Sequence, residues 1–238
     1  AALRGPAVAS PARAPSRSSA VVALLLLVPA PTVGVVAALH AVPGTAGRAL
    51  FLAAKLWLLL LPAAWYVAVE RGRPRWSPPG RDGLAAGVAA GVAMAAAVLL
   101  ACWGPLNGQI DPRMIRLAAA EMGLGSPAAY LAGAACWIVV NSLLEEYVWR
   151  WFVLRQLRAL LPPAPAILGS AALFTVHHAV ALAAYLSPLH VVLGSLAVLG
   201  AGACWGWLYV RHASIWPAWV SHALADAGVF LAGWRLLF

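Results

Sequence analysis

Asn141-Ser142-Leu143-Leu144-Glu145-Glu146-Tyr147-Val148-Trp149-Arg150 sets two adjacent carboxylates and an arginine at the end of an apolar run of helix length. An ionised carboxylate inside a bilayer costs about 2.5–3.5 kcal/mol on insertion scales, and needs a partner, a proton or a water-filled cavity. Anchoring a helix in lipid requires neither glutamate. Two of them side by side are therefore a functional signal.

The rest of the chain supports a membrane setting. Of its 238 residues 63% are hydrophobic and only 10% charged, too little polar surface to cover a soluble domain, so the composition reads as an all-α, polytopic transmembrane helix bundle. The net charge of +9 does not imply nucleic acid, because most basic residues fall in short segments between apolar runs, where they orient spans and meet anionic lipid headgroups. Cys102, Cys136 and Cys204 lie far apart within apolar runs, without metal-ligand spacing, and read as small hydrophobes.

Residues 1–19, with Arg4, Arg13 and Arg17 among Pro, Ser and Ala, form a basic cytoplasmic leader; the chain opens on Ala1 rather than Met, as a trimmed chain would. The run from Ala20 to about Val42 is long for a signal peptide and lacks a clean cleavage site, so it reads as a retained first span, kinked at Pro29 and Pro31. A second span covers about Leu50 to Val69, with Lys55 expected to snorkel from near one end. A basic, Pro/Gly-rich loop follows over Glu70 to Gly83. The third span, about Leu84 to Trp103, is rich in Gly and Ala, which let helices approach closely in lipid. A short interfacial helix is expected over Met114 to Met122. The fourth apolar run, from about Ala128 to Leu161, is longer than a bilayer needs and ends at Pro162 and Pro163. Spans five to seven cover about Ala166 to Leu186, His190 to Val210 and Ile215 to Trp234.

With the N-terminus inside, eleven arginines fall on the inner side (4, 13, 17, 71, 73, 75, 81, 150, 155, 158 and 211) and four outside (48, 113, 116 and 235), a positive-inside bias. In that topology, at about 1.5 Å per helical residue, Glu145, His178, His222 and Asp226 all lie roughly 10–20 Å from the inner ends of their spans. Unrelated decorations would have no reason to share a depth, whereas a single site would.

Spacing divides the roles. Residues four apart share a helix face, so Glu146 can pair with Arg150, while Glu145 stays unpaired beside Trp149, desolvated and suited to general-base work. Phe174 and His178 are likewise four apart, as are His222 and Asp226, where a carboxylate can orient an imidazole. Each feature has a plainer reading. A lone Glu-Glu is often an interfacial charge cluster, and His177 reads as a helix–helix hydrogen-bonding residue. His190 and His212 read as interfacial, and the tryptophans as belt and packing residues, Trp149 excepted. The coincidence of three motifs favours a site.

Glu145-Glu146-x-x-x-Arg150, Phe174-x-x-x-His178 and His222-x-x-x-Asp226, in this order on successive apolar helices, resemble the signature motifs of the CAAX prenyl endopeptidase and bacteriocin-processing (CPBP, or Abi) intramembrane proteases. Gly202-x-x-x-Gly206-Trp207-Leu208-Tyr209, before a turn and the His222 helix, is also similar to that family. The resemblance covers about residues 127–238, a four-helix catalytic core, and says little of the leader (1–19) and the N-terminal transmembrane helices (20–126) read above, about seven spans in all. It implies that Glu145 activates water together with His178, that His222 with Asp226 stabilises the oxyanion, and that Glu146 with Arg150 braces the helix. Where some members have Asn, this chain has Asp226, which must be protonated, orient His222 or ligate a metal, because an ionised carboxylate cannot donate to an oxyanion.

The implied reaction is peptide-bond hydrolysis close to the lipid bilayer, on a membrane-associated peptide or protein: CAAX-type C-terminal processing or the maturation of a bacterial peptide. A bacterial plasma membrane is the expected location. A Zn²⁺ version would use His178, His222 and one carboxylate, from Glu145 or Asp226, as ligands, with a fourth position open for water. The His-Glu-x-x-His pattern usual in zinc proteases is absent from the sequence, so a metal-free reaction is slightly preferred. A proton-coupled transporter would also place Glu, His and Asp at one depth, and a haem protein could use His178 and His222 as axial ligands.

Overall fold

A computed structural model describes residues 14–42, 44–73 and 80–238; residues 1–13 of the expected leader and 74–79 of the expected basic loop lie outside the described residues. The described chain forms eight helices and no strand: α1 (Arg17–Ala41), α2 (Thr45–Ala68), α3 (Arg81–Trp103), α4 (Pro112–Glu121), α5 (Pro127–Arg158), α6 (Pro163–Ala183), α7 (Pro188–His212) and α8 (Trp216–Leu237). Local chemistry sets several of these boundaries. Ser16, Asp111 and Ser126 accept backbone N–H groups at the starts of α1, α4 and α5, and prolines, whose missing N–H costs nothing in a first turn, open α4 to α8. Helix α1 is interrupted at Val28, just before Pro29, as the proline there requires.

Six helices, α1, α2, α3, α5, α6 and α7, are long and apolar enough to cross a bilayer, and the chain is that of an integral membrane protein. The seventh expected span is present as the 22-residue α8, but Ser221, His222, Asp226 and Arg235 keep it less apolar than the other six. The outer surface suits lipid: Leu56, Leu60, Leu100, Leu131, Leu168 and Leu196 are each more than half exposed.

Helices α3 and α8 pack with almost nothing between their backbones. A Cβ on Gly91 would stand 2.8 Å from the Ser221 Cα, one on Gly228 would stand 2.8 Å from the Ala95 Cα, and one on Gly87 would collide with the Pro217 carbonyl oxygen. Glycine is required there because the approach itself is the contact. In α7, Gly202 similarly admits Ala171 and Phe174 of α6.

The edges of the spans hold two further features. Glu70 lies just past α2, at the start of the expected loop, yet it is 3% exposed; it pairs with Arg155 at 2.8 Å and accepts from Gln156 at 2.7 Å, clamping the chain after α2 to the end of α5. Arg150, counted among the inner basic residues, is fully buried in the core and drops out of that count, leaving ten arginines against four.

Candidate active site

The site is built on α5, which is not a regular α-helix. Two wider π-helical segments, Trp137–Asn141 and Tyr147–Val153, flank the short α-helical turn Ser142–Glu146. In the first, the Ser142 N–H reaches back five residues to the Trp137 carbonyl; in the second, the Leu154 N–H reaches the Trp149 carbonyl, which also accepts from Ser170 of α6 at 2.9 Å. Such segments change which side chains face inward and often occur at functional sites. Here Asn141, Glu145, Glu146, Trp149 and Arg150 are all buried together.

Glu145 is not unpaired, as the spacing suggested. The side-chain amide of Asn141 donates to its Oε1 at 3.0 Å, and the Lys55 ammonium lies 3.8 Å from the same oxygen. Its Oε2 faces His222 Nε2 at 3.7 Å. Glu146 does more than brace α5. Its Oε2 lies 3.2 Å from Arg150 Nε, as expected, and its Oε1 accepts from His222 Nδ1 at 2.9 Å. Glu146, rather than Asp226, therefore orients His222: the Asp226 carboxylate stands 3.7 Å from the other ring nitrogen, beyond hydrogen-bond range.

Aromatic rings close the remaining sides. His222 stacks on Trp205 at 3.9 Å, and the Trp205 indole N–H donates to the Ser221 hydroxyl at 3.0 Å. The Arg150 guanidinium lies over Phe174 at 4.8 Å and Trp205 at 5.2 Å, so its charge is met by one carboxylate and two ring faces. His178 packs on Phe174 at 4.3 Å, and its Nδ1 bonds the Phe174 carbonyl at 3.1 Å; with the proton on Nδ1, Nε2 keeps its lone pair. Trp149 stacks nearly parallel to His177 and meets Phe174 edge to face.

The eight residues singled out from the sequence thus occupy one neighbourhood, joined by five others: Lys55, Asn141, His177, Trp205 and Ser221. Asn141 had a readable signal, four residues before Glu145 on an apolar helix. Lys55, the chain's single lysine, was expected to snorkel, but α2 begins at Thr45 rather than Leu50. That leaves the lysine ten residues into the helix, roughly 15 Å deep, so it turns inward. His177 sits with Glu145 and His178, their ligand atoms all within 4.8 Å of one another. This group differs from the ligand set expected from the motifs, with His177 present and His222 and Asp226 outside it. Two imidazoles and a carboxylate suit Zn²⁺ by type, and among the described residues no hydrogen-bond partner meets His177 Nδ1, so the residues fit such an ion.

Residues 127–228 match the family model described as type II CAAX prenyl endopeptidase Rce1-like. The match covers a little under half of the chain, from the first residue of α5 into α8, and contains all three motifs. The resemblance read from those motifs holds over this segment. Searches of the curated proteins and of the solved structures return no match.

Proposed function

We propose that this protein is an intramembrane endopeptidase that hydrolyses a peptide bond of a membrane-associated substrate, with Glu145 as general base. The observation that carries the reading is that Glu145 Oε2 faces His222 Nε2 at 3.7 Å while a ligand atom of His178 lies within 4.8 Å of the same carboxylate. Water held between Glu145 and His178 gives a proton to the carboxylate as its oxygen bonds the scissile carbonyl carbon. The carbonyl oxygen becomes an oxyanion. His222, whose Nδ1 donates to Glu146, turns Nε2 toward the site and in its imidazolium form donates to that oxyanion. As the tetrahedral intermediate collapses, the C–N bond breaks and Glu145 returns its proton to the leaving amine.

A Zn²⁺ ion, if the working protein holds one, would sit on Glu145, His177 and His178 and would polarise the carbonyl or the water. The Lys55 ammonium already places a positive charge beside Glu145, which favours the metal-free version. The Rce1-like match favours C-terminal processing of a CAAX-type substrate. The test is comparative proteomics of membrane-anchored peptides in cells carrying wild-type protein or Glu145→Ala. Shortened termini present only with the wild type are expected; identical termini in both would contradict the proposal.

A further inference from the structure

We propose that Lys55 and Asn141 are positioning residues that hold the Glu145 carboxylate in its working orientation, an inference that rests on the hydrolytic reading of the site. The chain of contacts runs in one direction. The Lys55 ammonium donates to Asn141 Oδ1 at 2.5 Å, and Asn141 Nδ2 donates to Glu145 Oε1 at 3.0 Å. An ammonium has only donors, so it fixes which end of the amide it meets; the NH₂ end must then point at Glu145. With Oε1 committed in this way, Oε2 is the oxygen turned toward His222.

Lys55 is itself held. Its Nζ lies 5.5 Å from the rings of both Phe51, on its own helix, and Trp137, at the start of the first π segment of α5. Asn141 is the last residue of that segment and is buried. The lysine comes from α2, outside the segment that matches the family model, so the N-terminal helices supply part of the apparatus that aims the base. The reaction needs such aim: a carboxylate is free to turn about its last torsion, and misplacing a reacting group by about 1 Å can cost about 100-fold in rate.

The test uses the full chain in liposomes, with a farnesylated peptide ending in a CAAX sequence as probe. Lys55→Met and Asn141→Ala each remove the link. Both are expected to lower kcat about tenfold or more with KM within about twofold, because the substrate is bound as before and only the base is misaimed. The double variant should be no worse than the worse single one, since both break the same chain. Lys55→Arg, which keeps a cation and donors, should recover most of kcat. Thermal unfolding identifies any variant that fails to fold, and if Lys55→Met does so, Asn141→Ala alone decides. Cleavage by the wild type with unchanged kcat in the folded variants overturns this inference and leaves the hydrolytic reading standing. A wild type that does not cleave the probe overturns the hydrolytic reading, and this inference with it.

Discussion

Because Glu146 accepts from His222 and faces Arg150 in a space closed to solvent, replacing it strips a partner from two buried groups at once. Removing one member of a buried ion pair typically costs about 3–5 kcal/mol. Glu146→Gln should therefore lower the unfolding temperature as well as activity, whereas Glu145→Gln should keep the fold and lose about 10²- to 10⁴-fold in turnover, the usual worth of a general base. Equal activity and equal melting in the two variants would show the roles to be wrongly divided. Asp226 is the third carboxylate, and Glu146 already orients His222, so Asp226→Asn should keep substantial activity and dialysis against a chelator should change little. Activity lost to chelation, restored by stoichiometric Zn²⁺ and absent in His177→Ala would reverse the preference for a metal-free reaction. The pairing of Glu146 with Arg150 was legible because it is local, two residues four apart on one helix. The bond from His222 to Glu146 was not, since it joins helices 76 residues apart in the chain and depends on the packing of α8 against α5.

At the scale of elements, the runs of apolar residues gave the helices to within a few residues, but not the irregularity inside them. The π segments of α5 leave no mark in the hydrophobic pattern, yet they bracket the two glutamates. The Gly and Ala content of α3 did announce a close approach, and α8 is the helix that it admits. Gly91 lies opposite Ser221, next to His222, so a larger residue there should push α8 away and move His222 with it. Gly91→Leu is expected to cost about 1–3 kcal/mol through overpacking and to reduce activity further than stability alone explains. Gly200 of α7 has open space where its Cβ would lie, and Gly200→Ala should be neutral or slightly stabilising. Parallel melting curves and turnover rates for the two variants check the contrast; a neutral Gly91→Leu would mean that the α3–α8 contact does not position the site.

On the scale of the whole molecule, the three motifs fall only in the second half of the chain, and the resemblance leaves the first three spans without a role. The fold supplies one for two of them. Helix α2 delivers Lys55 to Glu145 and clamps α5 through Glu70, Arg155 and Gln156, while α3 backs the helix that carries His222. None of this could be read from spacing, because it needs the start of α2 and the order in which helices pack. Every role proposed for the site depends on Glu145 driving peptide hydrolysis. The direct measurement is mass-spectrometric detection of the released C-terminal fragment when liposomes holding the purified full chain meet a farnesylated CAAX-terminated peptide. The fragment should accumulate with the wild type and fall by at least about 100-fold with Glu145→Gln of unchanged melting temperature; equal release by the two proteins would mean that Glu145 is not the base.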